Sequence, residues 1–243
     1  MLDASIASKS DVAAGVVAAV RGGLIASCQP VRSGRFDVPE IVEAFGLAAV
    51  DENAVALRIE STRDVARLRS MVRLPIVGLV KRPTSDCEVY ITPAQEDAAD
   101  LIELGADVVA FDATDGSEGR DRSDHVRSMI AFVHSCGRAV MADVATVDDG
   151  IRAARLGADL VATTLSGFTQ GTRDRRLPDL ALVEQLAVQG IHVVAEGGLS
   201  TPEHIEGAFA AGAHAVTVGT GFSRPELLLR GFVAATPRGH RGP

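Results

Sequence analysis

One phrase recurs along this chain at nearly constant spacing. Leu104-Gly-Ala-Asp-Val-Val-Ala-Phe-Asp112 returns as Leu156-Gly-Ala-Asp-Leu-Val-Ala-Thr-Thr164 and as Ala211-Gly-Ala-His-Ala-Val-Thr-Val-Gly219. A looser copy is Asp51-Glu-Asn-Ala-Val-Ala-Leu-Arg58. Each copy joins a helix end at Gly or Asn, residues that tolerate the left-handed conformation, to an immediate β-branched run. The runs end at Arg58, Asp112, Thr164 and Gly219, which lie 54, 52 and 55 residues apart. A second series falls between them, Leu24–Cys28, Ile76–Val80, Ala139–Ala142 and His192–Ala195, followed by Gln29, Lys81, Asp143 and Glu196. Interleaved, the two series make eight strands. The segments between them read as amphipathic helices. Those opening at Thr92-Pro-Ala-Gln-Glu-Asp and Thr201-Pro-Glu-His-Ile-Glu each carry a Thr cap, a Pro in the first turn and an early acid.

Eight strand–helix units in 243 residues predict the α/β class and a (β/α)8 TIM barrel of the phosphate-binding type. An open doubly wound sheet rarely holds eight units so evenly spaced. The chain is 47% hydrophobic but only 4% aromatic, with no Trp, so its core must be built from Val, Ala, Leu and Ile. Buried parallel sheets have that composition. A single domain over residues 1–243 is expected, with Ser10–Arg21 as a short helix closing the bottom and a frayed tail over 236–243.

The net charge of −8 argues against nucleic acid as a partner, since such binding needs a basic face. No apolar stretch reaches the roughly 18 residues of a membrane span, and Met1-Leu-Asp-Ala lacks the basic start of a signal peptide. Cys28, Cys87 and Cys136 are odd in number and far apart, which suits a reducing cytoplasm.

In this fold the carboxyl ends of the strands face the active site. Six of the eight strand-end residues, Gln29, Arg58, Lys81, Asp112, Asp143 and Glu196, are strongly polar or charged; Thr164 and Gly219 complete the ring. Stability alone does not call for such convergence. Of 24 basic residues only Lys9 and Lys81 are lysine. Lys9 sits in a polar stretch where either cation would serve. Lys81 could be a chance survivor in an arginine-rich chain, but it stands at a strand end. Arginine stays protonated at any workable pH, whereas a lysine in a suitable pocket can cycle a proton.

Strands seven and eight end in Ala195-Glu-Gly-Gly198 and Val218-Gly-Thr-Gly221, the usual phosphate site of such barrels. Gly197, Gly198, Gly219 and Thr220 are the expected phosphate ligands through their backbone, together with Arg224. Ser223-Arg-Pro-Glu226 has capping-box spacing, so a short helix would aim its positive end at the same anion. Metal chemistry is the competing use of the acids, since Asp112, Asp115 and Asp143 could hold Mg²⁺. No histidine has ligand spacing, however, and Lys81 and Arg58 already supply positive charge, so no metal is expected. Cys28 reads as a packed thiol beneath Gln29, and His192 as structural.

The chain resembles the bacterial N-acetylmannosamine-6-phosphate 2-epimerases, enzymes of sialic acid and amino-sugar catabolism. The matching phrases are Gly23-Leu-Ile-Ala-Ser-Cys-Gln-Pro30, Gly78-Leu-Val-Lys-Arg82, Tyr90-Ile-Thr-Pro93, Phe111-Asp-Ala-Thr114 and Met141-Ala-Asp143. They continue with Thr163-Thr-Leu-Ser-Gly-Phe-Thr169, Ala195-Glu-Gly197 and Val218-Gly-Thr-Gly-Phe-Ser-Arg-Pro225. The resemblance implies conversion of ManNAc-6-phosphate to GlcNAc-6-phosphate by removal and return of the C2 proton, without an external cofactor. It implies Lys81 as acid/base and Glu196 as its paired acid. It further implies Gln29, Arg58, Asp143 and Arg224 as substrate-binding residues, Arg224 near the phosphate. Asp112 and Thr164 at the same mouth are expected to join them. One departure is Gly198, where relatives usually carry Arg; it bears on substrate preference. A homodimer is expected from the habit of such barrels. Two rival readings stand beside the epimerase: a Schiff-base-forming phosphate-barrel lyase or synthase, and a non-catalytic protein that binds sugar phosphates.

Overall fold

The computed structural model describes residues 9–82, 91–115 and 121–238; Met1, Cys87, Tyr90 and residues 239–243 of the expected tail lie outside the described residues. The described chain opens with α1 (Lys9–Val20), followed by β1 (Leu24–Ser27), α2 (Pro39–Asp51), β2 (Ala56–Glu60), α3 (Thr62–Arg69) and β3 (Ile76–Leu79). Next come α4 (Gln95–Glu103), β4 (Val108–Asp112), α5 (Ser123–Ser135), β5 (Ala139–Asp143), α6 (Val147–Arg155) and β6 (Leu160–Ala162). The last part holds α7 (Leu180–Ala187), β7 (Val193–Ala195), α8 (Pro202–Ala210), β8 (Ala215–Val218), α9 (Thr220–Ser223) and α10 (Pro225–Ala234). The strands form a closed barrel in sequence order, and β8 pairs in parallel with β1.

The repeated phrase works as its chemistry requires. Asn53, Gly105, Gly157 and Gly212 all have positive φ, at 63°, 103°, 107° and 92°. Each turns the chain out of a helix and straight into a strand, where Asn and Gly pay little for the left-handed conformation.

Alternation along each strand then separates two cores. Outward-facing Leu57, Ile59, Ile76, Val109, Phe111 and Val140 pack with the helices in one cluster. Inward-facing Ile25, Ala56, Val77, Val108, Ala139 and Met141 fill the barrel in another. Ala13, Val16 and Val20 of α1 belong to that inner cluster, so α1 lies across the bottom opening. His214 fastens it there through Nε2 and the carbonyl of Val17, 2.8 Å apart.

Two local expectations change. Thr201 caps α8 by accepting from the His204 N–H, but Thr92 does not cap α4, whose N-cap is Ala94. Thr92 is instead fully buried between strands: its N–H reaches Val80 O at 2.8 Å and its hydroxyl donates to Ala110 O at 2.7 Å. Its neighbour Ile91 bridges Lys81. The two residues thus fill the gap where β3 and β4 diverge, and they fix the backbone of Lys81. The second change is in β2, which runs past Arg58 to Glu60.

The final helix stands apart from this pattern. None of the α10 residues is buried, and Leu229, Phe232 and Val233 are exposed.

Candidate active site

Period-two alternation carries one face of each strand from the inner core to the mouth. Ala56, Arg58 and Glu60 share a face, as do Val77, Leu79 and Lys81; Val108, Ala110 and Asp112; and Ala139, Met141 and Asp143. The pattern brings the predicted residues together and adds one that the sequence reading missed, Glu60. Its signal was available: it lies two residues beyond Arg58, hence on the same face.

Arg58 is the hub of one side. Only 1% exposed, it reaches Asp143 at 2.7 Å through Nη2 and Glu196 at 3.2 Å through Nη1. Thr164 donates to the other Asp143 oxygen at 2.6 Å. Thr163 clamps the Glu196 backbone, donating to its carbonyl at 2.8 Å and accepting its N–H at 3.0 Å. Burial opposes the Arg58 charge, but Asp143 and Glu196 more than offset this and raise its pKa. Glu196 is pushed above the usual carboxylate range by burial, with Asp143 adding to the shift and Arg58, Lys81 and Thr164 opposing it.

Lys81 belongs to the other side. Its Nζ donates to Gln29 Oε1 at 2.6 Å and pairs with Glu60 Oε2 at 2.9 Å. The expected ion pair between Lys81 and Glu196 is therefore replaced by two separate pairs, Lys81–Glu60 and Arg58–Glu196. The reason is topological: β3 and β7 are four strands apart in a ring of eight, so the two side chains face one another across the mouth. Burial lowers the Lys81 pKa; Glu60 works against that, while Arg224 and Arg58 add to it.

Asp112 faces Asp143 in register on the neighbouring strand. Thr114 donates to it through N–H at 2.9 Å and hydroxyl at 2.6 Å, and Arg122 approaches at 3.5 Å. Burial nonetheless raises its pKa, and Asp143 contributes in the same direction. Asp115, the third acid weighed for a metal, pairs with Arg152 at 2.6 Å. Among the described residues no group of three or more His, Cys, Asp or Glu is arranged to hold a metal ion.

At the ends of β7 and β8, Gly197 and Gly198 have φ of 101° and 77°. Gly219 precedes α9, which starts at Thr220. The first N–H groups of a helix have no partner within it. Ser223 ends α9 rather than capping α10: its hydroxyl donates to Ser27 O at 2.7 Å and accepts the Gln29 N–H at 3.2 Å. The N-cap of α10 is Arg224, with no side-chain cap bond. The Arg224 Nε donates to Gln29 O at 2.8 Å, which ties the end of the barrel back to its first strand. Gly198 has a physical reason to lack a side chain. A Cβ there would stand 2.6 Å from Leu177 Cβ and 3.2 Å from the Leu177 carbonyl carbon. An arginine would have to displace that loop.

Cys28 is buried, and burial pushes its thiol up to about 12, so it is a packed group with little thiolate. The rings of His192 and His214 meet at a tilt of 48° with centroids 4.6 Å apart at the bottom, away from the mouth. No helix among the described residues is long and apolar enough to cross a membrane.

An inward-facing lysine and glutamate thus stand on opposite walls, with glycines after β7 and β8. The profile of the NanE family, described as "Putative N-acetylmannosamine-6-phosphate epimerase", matches residues 42–238. The chain belongs to this family. Two relatives carry the name "Putative N-acetylmannosamine-6-phosphate 2-epimerase". One, from Yersinia pseudotuberculosis, is 44% identical over 216 residues, covering 89% of this chain and 91% of the relative. The other, from Klebsiella pneumoniae, is 45% identical over 206 residues, covering 84% and 86%. Among solved structures, the N-acetylmannosamine-6-phosphate 2-epimerase from Clostridium perfringens superposes with a TM-score of 0.83 at 32% identity. The match covers 90% of this chain and 96% of that one.

Proposed function

We propose that this NanE-family chain epimerises C2 of N-acetylmannosamine 6-phosphate, with Lys81 and Glu196 moving the proton. The observation that carries the reading is their position just beyond the ends of β3 and β7, across the mouth from each other. Inverting a carbon needs a base on one face and an acid on the other. In the open-chain sugar the C2 proton lies beside the C1 aldehyde and is acidic enough to remove. Neutral Lys81 takes it, leaving the C1 enolate, with the acetamido nitrogen still on C2, and an ammonium; protonated Glu196 returns a proton to C2 from the opposite side and becomes a carboxylate. Burial biases each group towards the form this step needs, lysine to neutral and glutamate to protonated. The reverse reaction uses the opposite forms.

Gln29, Arg58, Asp112, Asp143 and Thr164 bound the sugar. The backbone of Gly197, Gly198, Gly219 and Thr220, with Arg224, takes the phosphate. The natural setting under this reading is the cytoplasm, where the unpaired thiols of Cys28 and Cys136 stay reduced. Turnover in D2O is the test. Product should carry deuterium at C2, and borohydride added during turnover should trap no adduct on Lys81. A borohydride adduct would favour the Schiff-base lyase instead, and ligand binding without C2 exchange a non-catalytic role.

A homodimer is part of the same proposal. It is supported by the exposed apolar side chains Leu229, Phe232 and Val233 of α10. Phe232→Glu should shift sedimentation from dimer to monomer.

A further inference from the structure

The proton transfer just proposed leaves a problem that the geometry of Lys81 addresses. After one turnover Lys81 carries an extra proton and Glu196 has lost one, so each must be reset before the next. Lys81 sits within bonding distance of Glu60, at 2.9 Å, and of Gln29, at 2.6 Å. The other charges that act on it are Arg58 on β2, Arg224 after α9, and Glu196 just after β7 across the mouth. Arginine cannot accept a proton, and the Gln29 amide is not a base. Glu60 is the adjacent group that can.

Glu60 also has a second side. With Gln29, Arg32, Asp37, Arg63 and Asp64 it lines a cavity of about 300 Å³ outside the barrel mouth, between the loops that follow β1 and β2. Cys28, Pro30 and Val42 are in the same wall, but the polar and charged side chains outnumber them and give water groups to bond to. Arg63 is half exposed and paired to Asp64 at 2.9 Å, so the cavity reaches the protein surface.

We propose that Glu60 positions Lys81 and relays its proton to the water of this cavity between turnovers. This rests on Lys81 being the base. The step balances simply: an N–H bond of the Lys81 ammonium breaks as an O–H bond forms on the Glu60 carboxylate. The carboxyl then gives that proton to a cavity water, returning neutral lysine and ionised glutamate. Glu60 acts through Lys81 and is a positioning residue.

The test is Glu60→Gln, which keeps the shape and both neighbours but cannot relay. It should lower kcat about tenfold or more, short of the roughly 10²–10⁴-fold expected of a group that touches the reacting carbon. The KM for N-acetylmannosamine 6-phosphate should stay within about twofold, because Glu60 is not assigned to the sugar. Added imidazole should restore kcat in a concentration-dependent way, by entering the cavity and taking the proton. Glu60→Asp should recover most of the loss, and it serves as the variant to read if Glu60→Gln does not fold. Unchanged kcat in Glu60→Gln overturns the proposal. So does a loss that neither imidazole nor aspartate relieves. If Lys81→Arg itself turns over normally, the assignment of the base is what fails; if Lys81→Arg is inactive and Glu60→Gln is normal, only the relay falls.

Discussion

The two sides of the barrel mouth solve opposite problems with similar residue types. On one side Arg58 binds Asp143 and Glu196, with Thr164 completing Asp143. On the other, Lys81 binds Glu60 and Gln29. Both are a cation with carboxylate and polar partners, yet the pKa of the arginine is raised and that of the lysine lowered. The difference lies in neighbours. Arg58 is flanked by two acids, whereas Lys81 has one acid against the fields of Arg224 and Arg58. One side is a fixed charge that holds geometry; the other is poised to change charge. Under the proposed mechanism, a chain with 22 arginines and two lysines uses a lysine at the position where an arginine could not act.

The largest effect should come from removing that distinction. Lys81→Arg keeps the charge and fits the Gln29 and Glu60 acceptors, but a guanidinium does not cycle its proton near neutral pH. We expect kcat to fall by about 10⁴-fold, the upper end for acid–base groups, with GlcNAc-6-phosphate binding by calorimetry little changed. Near-normal turnover would mean that the two sides do not differ in role.

The complementary change is on the fixed side. Arg58→Met leaves Asp143 and Glu196 buried without their cation, which should cost about 3–5 kcal/mol in denaturant unfolding. The pH dependence has a definite sign. Glu196 is already shifted upward, and loss of Arg58 shifts it further. A carboxyl whose folded pKa exceeds its unfolded value holds its proton more tightly in the native state. It therefore favours folding below the unfolded pKa, and that stability is lost as pH rises through the window up to the folded pKa. Arg58→Met should then lie closer to wild type near pH 5 than near pH 8. Equal destabilisation at both would show that Arg58 acts by packing alone.

Glu196→Gln tests whether the fixed side also supplies a mobile proton. Its amide still accepts from Arg58, so the network should persist, but it has no proton to deliver. A loss of about 10²-fold or more in kcat is expected, with solvent deuterium still entering C2 of unconverted substrate through Lys81. A drop below about tenfold would reduce Glu196 to an orienting role.

How much of this was legible in the chain follows from what each signal reports. The repeat located four of the strands, because a left-handed cap next to a β-branched run is a local event written in adjacent residues, and the apolar runs spaced between its copies located the other four. Most mouth residues followed, since strand ends are local too. Three features were less accessible. Glu60 was passed over because the apolar run seemed to stop at Arg58, although an arginine facing into a barrel interrupts hydrophobicity without ending a strand. Thr92 looked like a helix cap because Thr-Pro is a common start, but its hydroxyl is used between β3 and β4, a contact no short window contains. The partners of Lys81 and Glu196 depend on barrel closure, which sets β3 against β7 and β2 beside β3. Resemblance suggested that the two belong together; closure determined that they meet across the mouth and not in a salt bridge.

The smallest effect concerns a cation that belongs to neither side. Arg224 holds Gln29 through its carbonyl and lowers the Lys81 pKa by its charge, so it touches the mobile side indirectly. Its proposed direct partner is the phosphate, above the backbone of Gly197, Gly219 and Thr220. At position 198 only the backbone can share that load, because a side chain there would collide with Leu177. Losing one charge-assisted hydrogen bond costs about 1.5–3 kcal/mol, so Arg224→Ala should raise KM for the phosphorylated sugar by about ten- to a hundredfold. Weak activity on free N-acetylmannosamine should hardly change, since that substrate never used the contact. A parallel loss on both sugars would instead place Arg224 with the lysine, as the clamp that keeps Gln29 in reach of Lys81. If wild type turned over the free sugar as fast as its phosphate, the phosphate site would be misassigned, while the proton-transfer pair across the barrel would stand.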